Sequence, residues 1–380
     1  MSYHPGVDLE NVSAPFVARM APITGINQKV GPRWIGDNQA VEGLNVDFDD
    51  PSRPARRKGY RPIYAGSTGL SSSSLRLVLL NYLDTGQTSR LLVTGAEQGG
   101  VFYITSPDSA SGWSEALTDA GASLNLNVDA PKAFQSNDML WIIPGGGVPV
   151  HTLKVDGKLI DTGNVNGSPP LGAADGTHFL ERVWFLARAP DGTSRLYWSK
   201  LIPVAGDLSP TPTAFVRDNS DDGTAGGFLT LSPQQGGDPV SVRPWRQESL
   251  ICFFKNQIEE VVVLSSNPLG SSRKQIENRI GCGSRDSIVQ VGDEMYFLDQ
   301  YGEYRALRIN QLGSLQGVVP KPLSEIVAGE LHANLNKRYM HRVRAEWFDG
   351  YIYLFYPRGS AQWPTHCLVL DISGGQGNPE

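Results

Sequence analysis

The most densely charged stretch of the chain is "NVDFDDPSRPARRKGYRPI", residues 45–63. Its acids come first and its bases follow, with prolines between them: Asp47, Asp49 and Asp50, then Arg53, Arg56, Arg57, Lys58 and Arg61. The forked donors of several arginines could bind phosphate. A hairpin at Pro51 to Pro54 would instead place opposite charges across from each other and neutralise them. Both interpretations stay open, and we favour the structural turn.

A second acidic stretch, "DNSDDGTAGGFL" (218–229), has the spacing that opens a calcium-binding loop. Asp218, Ser220 and Asp222 occupy positions 1, 3 and 5, where an EF-hand supplies oxygen ligands. The twelfth position of such a loop carries a bidentate glutamate, and here it is Leu229. A solvated acidic loop therefore explains these residues as well as calcium binding does.

Histidine and cysteine do not suggest a metal site. The histidines form neither H-x-H nor H-E-x-x-H: they are His4, His151, His178, His332, His341 and His366. The cysteines, Cys252, Cys282 and Cys367, are far apart and odd in number, so we interpret them as buried thiols in a reduced setting. No Walker loop or dinucleotide fingerprint is present. We therefore expect neither a metal nor a cofactor.

Paired carboxylates could support glycoside hydrolysis, which needs two of them at a defined separation. The candidates are Glu181, Asp191, Glu248, Glu294 and Glu303, and the aromatic residues that could flank such a cleft are Trp198, Trp245 and Trp363. The sequence alone does not pair the carboxylates, and it contains no strong catalytic motif. We therefore predict that the protein is not an enzyme, and we keep a glycan-binding or glycan-cleaving propeller as the alternative.

The composition is that of a globular protein with many short elements. The chain has 380 residues, 40% hydrophobic and 19% charged, with 42 glycines and 26 prolines spread along it. The formal net charge of −6 argues against a protein that coats DNA nonspecifically. The start, "MSYHPGVDLE", lacks the features of a secretory signal, and no apolar run approaches a membrane-spanning length. We therefore expect a protein that stays in water.

A repeated pattern runs from about residue 75: an apolar or aromatic run, a turn rich in glycine and aspartate, then another such run. The equivalent core positions are Leu92, Trp141, Trp184, Cys252, Phe297 and Tyr353, which are 49, 43, 68, 45 and 56 residues apart. Repeats of roughly 40 to 50 residues with about four strands each are typical of a β-propeller. The sequence predicts an all-β propeller of about six blades, or seven if N-terminal strands add one.

Three segments stand outside the repeat. Residues 1–65 are rich in proline, asparagine and glycine, and we expect an N-terminal arm with lead-in strands before a propeller over 66–375. The wide spacing between the third and fourth units predicts a projecting contact loop at about 202–240. Apolar residues at helical spacing after Pro322 predict an amphipathic helix at about 322–338, docked on the propeller.

Two stretches resemble a known group of proteins. They are "ITGINQKVGPRWIGDNQAVEGLNVDFDDPSRPARRKGY" (23–60) and "IGCGSRDSIVQVGDEMYFLDQYGEYRALRI" (280–309). Both are similar to segments of the β-propeller proteins in the tails of short-tailed double-stranded DNA phages, which are nozzle, tail hub or packaged-DNA stabilisation proteins. Together with the repeats, the resemblance spans nearly the whole chain.

The resemblance implies a structural virion protein. In that family, copies of the propeller form a ring around the tail axis, usually a hexamer below the portal-adaptor ring, and contact tail fibre or plug proteins. Such a ring extends or closes the DNA exit channel and makes transient contact with double-stranded DNA, without membrane insertion. The implied location is the phage tail of the virion, after assembly in the host cytoplasm.

The resemblance assigns positions but no chemistry. It places a set of residues in the strand and turn that lead into the first blade: Gly25, Asn27, Asn45, Asp47, Lys58 and Gly59. The residues that we expect at contacts between subunits, or with DNA in the channel, are Arg53, Arg56, Arg57, Lys58, Asp221 and Asp222.

Overall fold

The structure is a computed structural model. It describes residues 46–47, 55–56, 74–84, 87–96, 101–104, 114–117, 124, 132–136, 139–144, 147–153, 159–163, 168–201, 226–231, 237–309, 315–318, 322–348 and 350–372. Contacts divide the chain into two compact units. The first is Met1–Tyr60 with Ile326–Glu330, and the second is Arg61–Glu325 with Leu331–Glu380.

The described part of the second unit is an all-β propeller. Its blades are antiparallel sheets whose four strands follow one another in sequence order. The strands of blades 1 and 2 are β3 (Ser74–Asp84), β4 (Gln87–Ala96), β5 (Val101–Ile104), β6 (Ser114–Ala116), β7 (Lys132–Ser136), β8 (Met139–Ile143), β9 (His151–Leu153) and β10 (Leu159–Asp161). Those of blade 3 are β11 (Ala173–Phe179), β12 (Arg182–Arg188), β13 (Ser194–Trp198) and β14 (Gly227–Thr230).

Blades 4 and 5 repeat this arrangement, and a three-stranded sheet ends the unit. The strands of these two blades are β15 (Pro239–Trp245), β16 (Ser249–Phe254), β17 (Ile258–Val262), β18 (Ser272–Glu277), β19 (Val289–Val291), β20 (Glu294–Leu298), β21 (Tyr304–Ile309) and β22 (Leu315–Val318). The last sheet contains β23 (Arg344–Phe348), β24 (Tyr351–Tyr356) and β25 (His366–Asp371). The first strands of successive sheets lie side by side: β3 with β7, β7 with β11, β11 with β15, and β19 with β23.

The predicted count of six or seven blades is wrong, because the described residues form five four-stranded blades. The repeat itself is present. All six core positions chosen from the sequence lie on the second strand of a sheet, from Leu92 on β4 to Tyr353 on β24. The error arises at the last repeat, since β23 to β25 form a sheet without a fourth strand in the described residues.

The second strands of blades 2, 3 and 4 are buried on both faces because each of these blades packs between its neighbours. Every residue of β8 and β16 is buried, and so is every residue of β12 except Arg188. Between blades 3 and 4, Trp184 and Trp198 pack in one cluster with Cys252 and Phe254. Further apolar clusters fill the spaces between the other successive sheets. Continuous apolar runs such as "MLWII" and "SLICFF" are the sequence signature of strands buried on both faces.

The glycines and aspartates of the repeat lie in tight turns, as their pattern in the sequence predicts. Gly192 and Gly302 have φ values of 81° and 94° in the turns "APDGTS" and "DQYGEY", the left-handed conformation that favours glycine. Asp191 and Asp299 accept backbone N–H groups two residues further on, so both side chains stabilise their turns.

The predicted hairpin in the charged N-terminal stretch is also confirmed at the level of the backbone. β1 (Val46–Asp47) pairs antiparallel with β2 (Ala55–Arg56), with Val46 opposite Arg56 and Asp47 opposite Ala55. The chain therefore reverses direction between the acidic and the basic residues. The rest of the predicted arm over 1–65 lies outside the described residues.

The predicted helix is shorter than its sequence pattern. A 3-10 helix at Leu323–Val327 leads into the α-helix α1 (Ala328–Asn334), and a second 3-10 helix spans Lys337–Arg342. Leu331 and Leu335 are buried, as the apolar spacing predicts. No helix within the described part of the chain is long and apolar enough to cross a membrane.

Part of the predicted contact loop is regular structure. Residues 227–230 form β14, the fourth strand of blade 3, and 239–240 begin β15. The prediction of one loop over 202–240 is therefore wrong for these residues. The intervening positions 202–225 and 232–236 lie outside the described residues.

Candidate functional site

A buried carboxylate joins three blades at their first strands. Asp175 on β11 is fully buried and forms ion pairs with Lys132 on β7 and with Arg243 on β15. A register shift between Ala173 and Asp175 marks a β-bulge immediately before it, a feature that re-aims side chains. We call Lys132, Asp175, Arg243, Arg285 and Asp286 the central ionic network.

Both oxygens of Asp175 accept several donors. Oδ1 accepts the backbone N–H of Gly176 at 2.8 Å and contacts the amine of Lys132. Oδ2 accepts the guanidinium of Arg243 at 2.8 Å, the backbone N–H of Val242 at 3.1 Å and the hydroxyl of Ser241. Because a buried charge is tolerated only when it is paired and hydrogen-bonded, this saturation allows Asp175 to remain ionised.

Arg285 extends the network to blade 5. It lies in a 3-10 turn just before β19, and its Nη1 donates to the carbonyl of Ala174 at 2.9 Å. Ala174 is the extra residue of the bulge in β11, so Arg285 satisfies a carbonyl next to the irregular register. Arg285 also pairs with Asp286, and its own carbonyl accepts Nη2 of Arg243 at 3.2 Å. The network thus connects blades 2, 3, 4 and 5.

The pKa values in the network reflect burial and the neighbouring charges. Burial alone would raise the pKa of Asp175, but the positive charges of Lys132, Arg243 and Arg285 outweigh it and hold that pKa below the usual value. Burial and repulsion by Arg243 lower the pKa of the Lys132 amine well below its usual value, although Asp175 opposes them. Three cations share two carboxylates, so the loss of Asp175 would leave buried positive charge without compensation.

The segment 280–287 connects blade 5 to neighbouring sheets. The N–H of Cys282 donates to the carbonyl of Phe254 in blade 4 at 2.8 Å. The hydroxyl of Ser284 donates to the carbonyl of Val343 at 2.6 Å and lies 3.0 Å from the carbonyl of His341, next to the last sheet. With Arg285 reaching Ala174 in blade 3, this segment bonds to two other blades and to the residues just before the last sheet. We call residues 280–287 the blade joint.

Close packing explains the residue types of the joint. A Cβ atom at Gly281 would lie 2.2 Å from the backbone carbon of Lys255, and one at Gly283 would lie 2.5 Å from the carbonyl oxygen of Asp299. Burial raises the pKa of the Cys282 thiol to about 12, so this cysteine is a packed thiol rather than a nucleophile.

A second ionic group lies in the turn of blade 5. Asp299 is fully buried, and Oδ2 accepts Nε of Arg305 at 2.6 Å. Arg305 also contacts Glu303, and Glu303 lies 3.3 Å from Nε2 of His332. This group fixes the "DQYGEY" turn that the sequence resemblance includes.

A cleft of about 790 Å³ lies between blades 3 and 4. Phe179 and Leu180 line one side, at the turn between β11 and β12. Glu248 lines the next, at the turn between β15 and β16, and Leu264 and Gly270 line the third, in the connection from β17 to β18. We call this the turn cleft.

The predicted contact residues are mostly outside the described part of the chain. Of Arg53, Arg56, Arg57, Lys58, Asp221 and Asp222, only Arg56 is described, as a backbone position in β2. The calcium-like stretch from Asp218 lies outside it as far as residue 225. Among the described residues, no cluster of three or more histidine, cysteine, aspartate or glutamate side chains could hold a metal ion.

The predicted glycosidase carboxylates are largely separated. Glu181 and Asp191 flank the seven residues of β12, which puts them roughly 20 Å apart along the strand. Glu294 is paired with Arg308, and Glu303 with Arg305.

Two of the aromatic residues predicted to flank a glycan cleft are buried, which corrects that expectation. Trp198 and Trp245 are 2% and 4% exposed and belong to the cores between blades, while Trp363 stacks on Arg342 at 4.0 Å. Cys252 and Cys282 are buried as predicted, but Cys367 is partly exposed.

Sequence reasoning missed the central ionic network. Apart from the neighbours Arg285 and Asp286, its members are separated by tens of residues, and each is a single charge within a short strand, a pattern that resembles a solvent-facing position. A cue existed at Lys132 and Asp175, since both lie in the first strand of a repeat, where neighbouring blades approach each other most closely.

Comparisons with known proteins assign the chain to no family. No family model matches the chain, and no curated protein matches it. A computationally designed protein, Ika8, aligns over 78% of this chain and 71% of its own, with 8% identity and a TM-score of 0.40. Apo AztD from Citrobacter koseri aligns over 77% and 73%, with 10% identity and a TM-score of 0.36. PorZ of Porphyromonas gingivalis, a surface component of the type-IX secretion system, aligns over 75% and 30%, with 12% identity and a TM-score of 0.34. Similarity with such low sequence identity and such low TM-scores carries no information about function.

Proposed function

We propose that this protein is a structural subunit of the tail of a short-tailed double-stranded DNA phage, in a nozzle or hub ring around the DNA exit channel. The observation that carries the proposal is the role of the blade joint. Residues 280–309 resemble the tail propellers in sequence, and their first part makes hydrogen bonds to two other blades and to Val343, just before the last sheet. The residues that carry the resemblance therefore serve scaffold integrity, which is the requirement of a structural virion component.

In this role the propeller acts by shape and interface burial rather than by chemistry. The central ionic network and the apolar clusters make blades 2 to 5 one rigid scaffold, onto which neighbours can assemble. Copies of the chain would form a ring, a hexamer in the resembling family, with a portal-adaptor ring and fibre or plug proteins as neighbours. A net charge of −6 suits a channel that lets DNA slide, because phosphate is not held by counterion release.

Oligomeric state tests the proposal most directly. Native mass spectrometry and electron microscopy of the purified protein, and of phage particles that carry its gene, should show a ring of identical copies at the tail. Circular dichroism of the same sample confirms that the β-fold is intact. A folded protein that is monomeric in solution and absent from particles would show that the proposal is wrong.

The glycan alternative rests on the turn cleft, since Glu248 lines it and Glu181 is next to Leu180 in the adjoining turn. If the protein cleaves a glycan there, a Glu181→Gln and Glu248→Gln double variant should lose the cleavage while keeping its melting temperature. Unchanged cleavage by the double variant would remove these two carboxylates from any mechanism.

A further inference from the structure

The turn cleft concentrates backbone strain. Three non-glycine residues in the described part of the chain have positive φ: Leu180 at 48°, Glu181 at 57° and Arg246 at 54°. The first two form the turn between β11 and β12, and Arg246 lies in the turn between β15 and β16, so all three are in turns that border the cleft. Hairpin turns of this kind usually carry asparagine or glycine. Strained residues of this type cluster at ligand sites, where the surrounding structure holds them.

The third side of the cleft is preformed by hydrogen bonds. Asn267 caps a 3-10 turn at Pro268–Gly270, its Oδ1 accepting the N–H of Leu269 at 3.1 Å. The N–H of Leu264 donates to the hydroxyl of Ser271 at 3.1 Å, and a Cβ on Gly270 would lie 3.0 Å from the Leu264 side chain. The backbone at Leu264 is therefore held in place before any ligand arrives, which reduces the entropic cost of binding.

The side chains around the cleft combine an apolar surface with acidic groups. Leu264 is 49% exposed, one of few large apolar residues so exposed in the described chain, and Leu180 faces the same cleft. Glu181 and Glu248 are exposed and form no ion pair with any described residue. The nearby cation Arg246 is already paired with Asp293 at 3.3 Å and lies over the ring of Trp245.

We propose that the turn cleft binds an extended peptide segment of a partner protein in which an apolar side chain is next to a lysine or arginine. The apolar side chain packs between Leu180 and Leu264, and the basic side chain pairs with Glu248 and Glu181. The volume of about 790 Å³ lies within the usual range for ligand sites. The inference does not depend on the phage assignment.

The lining favours a peptide over a sugar. Phe179 is the one aromatic residue among the described side chains that line the cleft, and it is 8% exposed, so it offers no ring face for a sugar to stack on. Charge complementarity with the carboxylates of Glu181 and Glu248 selects a basic ligand instead.

Fluorescence anisotropy with a labelled peptide of alternating leucine and lysine tests the proposal, with the leucine–glutamate peptide as the control ligand. Wild type should bind the basic peptide and not the acidic one. Leu264→Ser should weaken binding about tenfold, the expected cost of removing one apolar contact, and Glu248→Gln about threefold, typical of a charge at the rim. Leu117→Ser, at an exposed leucine beside blade 1, is the matched control and should bind like wild type.

Leu180→Asn separates binding from folding. Asparagine tolerates positive φ better than leucine, which offsets part of the packing that Leu180 loses against the core between blades 3 and 4; the variant should therefore stay folded with a small change in melting temperature, while it weakens peptide binding about fivefold through lost apolar contact. Equal binding by wild type and all cleft variants, or no binding to wild type, would overturn the proposal. Binding of maltoheptaose that is lost in Glu248→Gln would overturn it in favour of a glycan site.

Discussion

At the scale of single residues, Asp175 is the most consequential side chain of the described structure. It accepts donors from three first strands while fully buried. Asp175→Asn removes the negative charge and leaves Lys132 and Arg243 facing each other, so we expect a loss of about 3–5 kcal/mol in the free energy of unfolding. Urea denaturation followed by tryptophan fluorescence measures it.

The control is Asp238→Asn, the same chemical change at an exposed ion pair with Arg188 and Lys255. It should change the free energy of unfolding by about 1 kcal/mol or less, because exposed pairs contribute little. Equal losses in both variants would mean that the central ionic network is not the reason for the effect.

The lowered pKa of Asp175 also predicts a dependence on pH. An unfolded aspartate protonates near pH 3.9, whereas folded Asp175 stays ionised to lower pH. Between the two pKa values the unfolded chain binds more protons, so the free energy of unfolding falls as the pH drops, and the contribution is fully present above the unfolded pKa. Urea titrations from about pH 5 to pH 2 should show a steeper loss for wild type than for Asp175→Asn. Parallel curves would contradict this assignment.

At the scale of elements, the blade joint depends on the absence of side chains. Gly281→Ala places a Cβ 2.2 Å from backbone atoms of blade 4, which cannot move without separating the blades. We expect a loss of several kcal/mol, in the range of overpacking or more, with faster hydrogen exchange in β16 and β20. Thermal unfolding and hydrogen-exchange mass spectrometry measure the two effects.

Gly292→Ala is the matched control, because it adds the same methyl group in open space. Gly292 has a φ of 60°, and a Cβ atom added there would have no neighbouring atom within 4 Å, so its only cost is conformational, about 1 kcal/mol. If both variants lose the same stability, the close approach at Gly281 is not what the joint requires.

The elements were predictable from sequence where the signal was local, and not where it depended on distant contacts. The second strands, such as β12 around Trp184, are continuous apolar runs and could be located directly. The strand β14 was missed because "GFLT" follows a polar stretch and gains its partners only from β13. The helix was overextended because apolar spacing continues through Leu335, whereas the α-helical part ends at Asn334. The turn cleft could not be predicted from the sequence, because its three sides come from turns that are far apart along the chain.

At the scale of the whole molecule, the blades should unfold together, since the central ionic network joins blades 2 to 5. Replacing Asp175 should therefore weaken the coupling between the blades as well as lower the free energy of unfolding. We expect differential scanning calorimetry to give one transition for wild type and a broader or split transition for Asp175→Asn, because cooperative units separate when the interactions between them weaken. Two separate transitions already in wild type would contradict the coupling.

Assembly of the proposed ring gives the last prediction, which concerns the charged N-terminal stretch. The strands β1 and β2 pair antiparallel, and the sequence places acidic residues before the basic ones, so we expect these bases to be compensated by nearby acids rather than available to phosphate. Arg56→Glu, Arg57→Glu and Lys58→Glu together should lower the yield of folded protein or of rings, with little change in DNA affinity. Analytical ultracentrifugation and DNA binding over a salt series measure the two effects. A control triple variant at the exposed Lys200, Lys274 and Arg279 carries the same charge change and should assemble normally. A selective, salt-sensitive loss of DNA binding with intact rings would instead assign the stretch to phosphate contact, because only direct neutralisation of phosphates produces that salt dependence.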